Sequence, residues 1–170
     1  MRLAILSDIH DNVWKLAAAL ERAQGCDALL CCGDLCSPFI VHQLGRGFAN
    51  PIHVVFGNND ADLYRITSIA AKYPQVRLYG ELFIGEFCGR KVAMNHFDYI
   101  ARPLAASQEY DAVFFGHNHR REIGHVGRTM ITNPGAVMGA AFAADGMRED
   151  VPSTFAFYNA GTNEASLIDL

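Results

Sequence analysis

The chain has 170 residues, 51% of them hydrophobic and 19% charged, and its 14 Lys and Arg against 18 Asp and Glu give a formal net charge of −4. This composition excludes a disordered polypeptide, and the length predicts one domain over residues 1–170, since domains commonly have about 150 residues. The charge argues against a protein that binds duplex nucleic acid by neutralising many phosphates, whereas one local cationic centre would still suit a small anionic substrate.

The first half of the chain alternates apolar runs with amphipathic segments. Asn12 is placed to cap the first of three predicted helices, and Pro74 is expected to end the third, because proline is poorly tolerated inside a helix. This βαβαβα pattern predicts a parallel sheet with helices packed against it. The predicted elements are a strand at 2–6, a helix at 14–22, a strand at 28–32, a helix at 38–44, a strand at 52–56 and a helix at 63–72.

The second half favours short strands. Glycines separate segments 76–79, 82–87 and 91–94, which predicts three adjacent antiparallel strands. Residues 137–150, rich in Gly, Ala and Met and then charged, are predicted to form a loop or lid. So many strands predict two sheets packed face to face and covered by helices. The remaining predicted elements are a helix at 100–107 and strands at 112–115, 122–126, 129–132, 155–158 and 165–168.

Cysteine usage and hydropathy bear on the cellular compartment. The amino-terminal apolar segment is too short for the core of a signal peptide, and the small-apolar run at 135–144 is about half the length of a membrane span. With five cysteines, an odd number, we expect a reduced, cytoplasmic protein. Cys31 and Cys32 are not expected to share a zinc ion, because neighbouring side chains in a strand point to opposite faces. Cys36 could line a cleft and make activity sensitive to oxidation.

Polar motifs follow five of the predicted strands. The carboxyl ends of strands form the ligand crevice in open α/β sheets, so these motifs are expected to converge. Side chains two residues apart in an extended chain point the same way, which predicts that Asp8 and His10 share one side, and His117 and His119 likewise. The motifs are Asp8-Ile9-His10, Gly33-Asp34, Gly57-Asn58-Asn59-Asp60, Asn95-His96 and Gly116-His117-Asn118-His119.

The side chains of these motifs form a donor set typical of transition metals. Mixed oxygen and nitrogen ligands without thiolate suit Mn, Fe, Zn or Ni. Seven ligands are too many for one open catalytic ion but fit two ions that share a carboxylate, and two ions about 3.5–4 Å apart can clamp a transferring phosphoryl group. The donors are two carboxylates, one amide and four imidazoles: Asp8, Asp34, Asn58, His10, His96, His117 and His119.

Together with Asn133-Pro134-Gly135, the ordered motifs resemble the calcineurin-like metallophosphoesterase superfamily over about residues 1–160. The resemblance is greatest to the branch of small prokaryotic phosphodiesterases that also contains the retromer scaffold subunit. It implies a four-layer α/β sandwich, in which two mixed β-sheets pack face to face and are flanked by helices. It also implies hydrolysis of a phosphodiester or monoester by in-line attack of a metal-bridging hydroxide.

The resemblance further implies a role for each donor. Asp34 would bridge two ions, with manganese the expected metal and Fe, Zn or Ni the alternatives. Asp34, Asn58 and His96 would be catalytic, because they hold the centre and stabilise charge on the phosphoryl oxygens. One ion would be held by Asp8, His10 and His119, and the other by Asn58, His96 and His117.

Three positions depart from the pattern of the family. Asn59 stands where the larger superfamily has a histidine thought to protonate the leaving oxygen, and an amide cannot supply that proton. His96-Phe97-Asp98 replaces His-Gly-His, so that Asp98 could support a ligand, act as a weak acid or cap a helix. Ala136 stands where serine often occurs. These departures bear on rate and substrate preference and remove no metal ligand.

Residues around the motifs receive less specific interpretations. Asn12, Asn59 and Asp98 are candidate substrate-binding residues. Asp60 and Asp62 are interpreted as carboxylates at the start of a helix, where the helix dipole favours them. The aromatic residues lack the basic interleaving used to stack bases and are interpreted as core. Surface or structural roles are expected for Arg120, Arg121, His42, His53 and His125.

Two classes of function remain. The first is a dinuclear metal-dependent phosphoesterase, most simply a phosphodiesterase acting on a small phosphate ester, with no duplex nucleic acid or membrane as partner and with a homo-oligomer left open. The alternative is a metal-binding protein-interaction scaffold of the same fold with weak or no catalysis, which the Asn59 departure favours. A dinucleotide-binding domain is excluded, because the turn after the first strand carries Asp-Ile-His and not Gly-x-Gly-x-x-Gly.

Overall fold

A computed structural model describes residues 1–143 and 145–170. Its helices are α1 (Val13–Arg22), α2 (Pro38–Gly47), α3 (Leu63–Ala70) and α4 (Asp98–Ala106). Its strands are β1 (Arg2–Leu6), β2 (Ala28–Cys31), β3 (Ile52–Val54), β4 (Val76–Leu78), β5 (Leu82–Phe87), β6 (Arg90–Asn95), β7 (Ala112–Phe114), β8 (Glu122–Val126), β9 (Thr129–Asn133), β10 (Ala140–Phe142), β11 (Arg148–Asp150), β12 (Thr154–Asn159) and β13 (Glu164–Asp169).

The strands form two mixed sheets and a hairpin. The first sheet has the order β13-β12-β1-β2-β3-β4, in which β1 to β4 are parallel to one another, β12 is antiparallel to β1, and β13 is antiparallel to β12. The second has the order β5-β6-β7-β9-β8, with β6, β7 and β9 parallel and the two edge strands antiparallel. The prediction of two mixed sheets is confirmed. No helix among the described residues is long and apolar enough to cross a bilayer.

The alternation of side chains along each strand builds four layers. Leu3 and Ile5 of β1 pack between the two sheets, whereas Ala4 and Leu6 pack on the opposite face with α1, α2 and α3. A third hydrophobic cluster joins the outer face of the second sheet to α4. The predicted sandwich of helices, sheet, sheet and helix is therefore confirmed, and its strands share one end at which the connecting loops meet.

The predicted helix caps are also observed. The Asn12 side chain accepts a hydrogen bond from the Lys15 backbone N at 3.1 Å, and Asp62 accepts one from the Arg65 backbone N at the same distance. Capping satisfies one of the amide donors that the first turn of a helix leaves free. Helix α3 ends at Ala70, ahead of Pro74, as the proline predicts.

Two predictions for the second half of the chain are wrong. Strand β4 does not pair antiparallel with β5 but extends the first sheet as the parallel partner of β3. The chain crosses between sheets at Gly80, whose φ of 67° is a backbone conformation that glycine adopts without strain. Residues 137–150 contain the two-stranded hairpin β10–β11, with Ala140 opposite Asp150, where a loop is predicted. Ala144 of that segment lies outside the described residues.

Candidate functional site

The candidate residues lie on loops that follow the carboxyl ends of strands from both sheets. Asp8 follows β1, Asp34 follows β2 and Asn58 follows β3, while His96 directly follows β6 and the loop after β7 carries two histidines. Backbone hydrogen bonds join neighbouring loops, with Asp8 N donating to Gly33 O at 3.1 Å. The edges of the two sheets thus meet over one cleft, as the positions of the motifs at strand ends predict.

Most of these loop residues have left-handed backbone conformations, which cost non-glycine residues energy and cluster at functional sites. Asp8 has a φ of 53° and His10 a φ of 43°, so the chain between them is not extended. Strand alternation therefore does not align their side chains, and this part of the prediction is wrong. The left-handed residues of the site loops are Asp8, His10, Asp11, Asp34, Cys36, His117 and His119.

One group of donors gathers around Asp8. His119 Nε2 lies 3.3 Å from Asp8 Oδ1 and 3.3 Å from His10 Nε2. His10 Nε2 lies 3.9 Å from Asp8 Oδ1 and 3.4 Å from Asp34 Oδ2. One donor atom from each of these four residues lies within 4.8 Å of all the others. Four such atoms can hold a metal ion.

A second group of donors shares Asp34 with the first. His96 Nε2 lies 3.4 Å from Asp34 Oδ2 and 3.1 Å from Asn58 Oδ1. His117 Nδ1 lies 2.9 Å from the same Asn58 oxygen. His117 and His119 thus contact different groups, in contrast to the prediction that they face one side. Asp34 Oδ2 lies between the groups, 3.4 Å from an imidazole nitrogen of each.

Backbone carbonyls orient two of the imidazoles. His96 Nδ1 donates to Cys32 O at 2.8 Å, and His119 Nδ1 donates to Ala140 O at 2.6 Å. A carbonyl only accepts, so Nδ1 carries a proton in each ring, and when the ring is neutral the lone pair of Nε2 faces the cleft. This is the arrangement in which proteins present histidine to metals. The sequence contains no signal for either carbonyl partner, because both are backbone atoms.

Asn59 holds the carboxylate of Asp34. Its backbone N donates to Oδ1 at 2.8 Å, and its side-chain amide donates to Oδ2 at 2.9 Å. Burial raises the pKa of Asp34, but hydrogen bonds from His96 and Asn59 and the charge of His96 lower it by more, and the net pKa is well below its usual range. The candidate substrate contact Asn59 is thus directed at Asp34.

Asp60 organises the loops that carry Asp34. Its carboxylate accepts hydrogen bonds from the backbone N atoms of Asp34 at 3.0 Å, Cys36 at 2.9 Å and Gly57 at 2.8 Å. The interpretation of Asp60 as a helix-start carboxylate is wrong, because the cap of α3 is Asp62. Burial raises the pKa of Asp60, against these hydrogen bonds. Its place in the Gly57-Asn58-Asn59-Asp60 motif was the only sequence signal for this role.

The other candidate residues contact their own surroundings. Asn12 caps α1 and its amide also donates to Met138 O at 3.3 Å. Asp98 is the first residue of α4 and accepts from the Tyr99 backbone N at 2.9 Å. Their roles as substrate contacts stay predictions. Cys36 Sγ lies 3.4 Å from His10 Nδ1, and burial, with the charges of neighbouring carboxylates, raises the pKa of this thiol to about 12. Its sensitivity to oxidation stays a prediction.

Residues assigned to the surface or the core also contact partners there. Arg121 pairs with Asp169 at 2.9 Å on the surface, and Arg120 is exposed. His42 Nδ1 lies 2.9 Å from Tyr73 Oη, and His53 Nδ1 lies 2.9 Å from Tyr79 Oη. These histidines lie outside the two donor groups.

The charge of the cleft favours a cation. Asp8 and Asp34 are 0% and 1% exposed. Among the described residues only histidines lie within ion-pair distance of these carboxylates, and no Lys or Arg does. Two buried carboxylates need compensating positive charge, because water no longer solvates them. Oxygen and nitrogen donors in this number suit divalent transition metals, so the residues present fit a metal centre.

Acid is expected to release a bound metal at a higher pH here than from a site of ordinary histidines. Burial alone lowers the pKa of His96 and His119, but their hydrogen bonds and the charges of Asp34 and Asp8 raise both by more. Burial leaves the pKa of His10 lowered, so His96 and His119 are the ligands at which protons compete first. A histidine must lose its proton before it binds metal, so protons compete as the pH falls through these raised values. Equilibrium dialysis with Zn²⁺ from about pH 8 to about pH 5 measures the retained metal.

The stability of the metal-free protein should depend on pH in the opposite direction, because acid favours the contribution of these histidines to folding while it weakens metal binding. A raised folded-state pKa contributes stability that is present below the unfolded value of about 6.5 and is lost as the pH rises through the folded value. The free energy of unfolding lost in His96→Gln should therefore be larger in acid than in alkali when urea unfolding is compared at both pH values. His125→Gln, at an exposed position, is the control. An equal loss at both pH values contradicts the expectation.

Comparisons with known proteins agree on one family. A model of the calcineurin-like phosphoesterase superfamily domain matches residues 1–160. An archaeal phosphodiesterase is similar in structure, with a TM-score of 0.86 and 22% identity over 100% of both chains. YfcE, a phosphoesterase from E. coli, has a TM-score of 0.66 and 16% identity over 99% of both chains. Vps29 from Entamoeba histolytica, complexed with Zn²⁺, has a TM-score of 0.66 and 18% identity over 99% of both chains. The curated protein sequences give no match.

Proposed function

The chain belongs to the calcineurin-like phosphoesterase superfamily, and from that premise we propose that it is a dinuclear metal-dependent phosphodiesterase. The observation that carries the proposal is the position of Asp34 Oδ2, 3.4 Å from the Nε2 atoms of both His10 and His96. A carboxylate oxygen shared by two donor groups suits a pair of ions. The similarity to an archaeal phosphodiesterase supports diesters as the substrate class.

The two donor groups would hold the two ions, with Asp34 between them. When bound, divalent ions lower the pKa of water towards about 7 and stabilise negative charge on a phosphoryl group. Manganese is the proposed metal, and zinc is a strong alternative, because zinc occupies the similar Vps29. The first ion would be held by Asp8, His10 and His119, and the second by Asn58, His96 and His117.

The residues of the chain contribute position and charge. The two hydrogen bonds from Asn59 hold Asp34 ionised, so its carboxylate is available to both donor groups at neutral pH. His96, fixed by Cys32 O, is held next to Asn58. Preorganised donors of this kind stabilise charge without rearranging during reaction. Because Asn59 cannot protonate a leaving oxygen, esters with acidic leaving groups should react fastest.

A turnover assay over a panel of metals tests the proposal. The purified protein is loaded with Mn²⁺, Zn²⁺, Ni²⁺ or Fe²⁺, its metal content is measured by plasma mass spectrometry, and hydrolysis of bis(4-nitrophenyl) phosphate is compared with that of 4-nitrophenyl phosphate. We expect about two ions per chain and faster turnover of the diester. One ion per chain, or a faster monoester, contradicts the assignment.

The assay also separates the enzyme from the alternative, a metal-binding scaffold. The engagement of Asn59 with Asp34 is the observation that favours the alternative, since it leaves the position of the acid without a proton donor. Retained metal with no turnover of either ester under any metal would favour the scaffold. The five cysteines are all free, which supports the further proposal of a reducing, cytoplasmic compartment.

A further inference from the structure

Two exposed aromatic side chains flank the candidate centre, one beside each donor group. The Phe142 ring lies 6.2 Å from the His119 ring at an interplanar angle of 69°. The Tyr99 ring lies 6.4 Å from the His117 ring at 85°. Tyr99 is 63% exposed and Phe142 is 57% exposed. Each donor group therefore has an exposed aromatic ring beside one of its histidines.

Neither ring belongs to the hydrophobic core. The three clusters of buried residues found in the described chain, with the residues packed against them, contain neither Tyr99 nor Phe142. The interpretation of all aromatic residues as core is therefore wrong at these two positions, and also at Trp14, Phe39 and Tyr64, which are exposed as well. Single exposed aromatic rings are ordinary on a protein surface, so the observation that counts is the position of these two rings beside histidines of the candidate centre.

The backbone holds Phe142 in a defined place relative to the centre. Two residues before it in β10, Ala140 O accepts a hydrogen bond from His119 Nδ1. Upstream, Met138 N donates to Asp8 O at 3.0 Å. The hairpin is thus tied to two of the candidate ligands, which places the backbone of Phe142 beside the centre.

Tyr99 is also held in place. It is the second residue of α4, and its ring lies 5.2 Å from that of Phe97 at 32°. The Phe97 ring in turn lies 5.1 Å from the His117 ring. This packing leaves the remaining surface of Tyr99 open to solvent. Aromatic walls fixed before binding lose little entropy when a ligand packs on them.

We propose that Phe142 and Tyr99 are specificity-determining residues that select small phosphodiesters bearing a planar aromatic group, either a nucleobase or an aryl group. A diester has two esterified groups on phosphorus, and one exposed aromatic ring lies beside each of the two donor groups. Stacking on such rings tolerates any base, because every base has a π-face. The net charge of −4 argues for a small ester and against a long polyanion. This inference rests on the proposed function.

Two substrates with the same leaving group test the proposal. Thymidine 5′-(4-nitrophenyl phosphate) and methyl 4-nitrophenyl phosphate both release nitrophenolate, so the chemical step is matched and only the second ester group differs. For the Mn²⁺-loaded protein we expect KM to be about tenfold or more lower for the nucleoside ester, as one stacked base contributes. Equal KM values overturn the proposal.

Variants locate the preference. Phe142→Ala or Tyr99→Ala should reduce the KM ratio between the two esters, and Phe142→Trp should restore it; the ratio is the readout, because the nitrophenyl group common to both esters is itself aromatic. Ile84→Ala is the control, because Ile84 is 49% exposed on the edge strand β5. A preference that survives in both alanine variants overturns the proposal. So does a change in oligomeric state by light scattering without a change in the KM ratio, which would make the rings a subunit contact.

A binding measurement keeps this inference separate from the proposed function. Calorimetry on the Zn²⁺-loaded protein compares thymidine 5′-monophosphate with methyl phosphate, and the nucleotide should bind about tenfold more tightly in the wild type and not in Phe142→Ala. If neither ester is hydrolysed but this affinity ratio is found, the proposed function fails and the role of the two aromatic residues in binding is still supported. Equal affinities overturn the inference even in an active enzyme.

Discussion

Asp34→Asn is expected to abolish retention of a metal pair and to lower diester hydrolysis by more than about 100-fold, since even residues that only support metal ligands cost about 10–100-fold when removed. The substitution keeps the shape of the side chain but removes one of two buried negative charges. It also places an amide NH₂ where Asp34 now accepts from Asn59, on whichever side it turns. Metal content and turnover of bis(4-nitrophenyl) phosphate are measured on the same preparation.

Asp27→Asn is the control for this change. Asp27 is an exposed carboxylate before β2, at the opposite end of the sheet, where it accepts a hydrogen bond from Arg2 N at 2.7 Å. The control should keep metal and activity. Far-ultraviolet circular dichroism and a urea transition establish that Asp34→Asn is folded. A folded Asp34→Asn that turns over the diester at the wild-type rate would remove Asp34 from the centre.

The layers of the fold could be predicted because buried strands and amphipathic helices differ in period and length. Strands β1, β2 and β3 are near-continuous apolar runs, as parallel strands covered on both faces are. The partner of β4 could not be predicted, because three residues carry little information about pairing. The chain leaves the first sheet after β4 and enters the second sheet at β5, with Gly80 between the two strands. This change of sheet has no signal in the sequence of β4.

The convergence of the site could be predicted from strand ends, whereas its internal geometry could not. The distances of Asp34 from His10 and His96 follow from loops that meet at one edge of the sheets. The left-handed conformations at Asp8 and Asp34 are imposed by hydrogen bonds between loops and leave no periodic signal. The three amide hydrogen bonds of Asp60 are of the same kind, since their donors are backbone atoms and have no sequence identity.

The strands of the hairpin β10–β11 could not be predicted for a different reason. Its first strand is Ala140–Phe142 and its second is Arg148–Asp150, so neither shows the alternation of apolar and polar residues by which half-buried strands are detected. The hairpin is held instead by backbone contacts to the site, such as His119 Nδ1 to Ala140 O. Composition predicted a loop or lid in 137–150 and gave no indication of the two strands.

Gly57→Ala is expected to lower diester turnover by about 100-fold beyond any effect of reduced stability, because a misplacement of about 1 Å in a reacting group costs this much. A Cβ at position 57 would lie 2.2 Å from Asp34 Oδ1 and 2.8 Å from Asp34 N. Neither distance is possible, so the carboxylate of Asp34 must move away from the shared position between His10 and His96. Metal retention should weaken in parallel, which titration with Zn²⁺ measures.

Gly124→Ala provides the matched comparison, since its added Cβ would meet no neighbour closer than 3.9 Å. The two variants make the same chemical change, so a difference in activity between them reports the crowding of Asp34 and no general effect of the methyl group. A urea transition shows whether the loss in Gly57→Ala exceeds what lower stability would cause. If Gly57→Ala hydrolyses the diester as fast as Gly124→Ala, the placement of Asp34 does not limit the reaction, and the shared carboxylate is not the centre of this site.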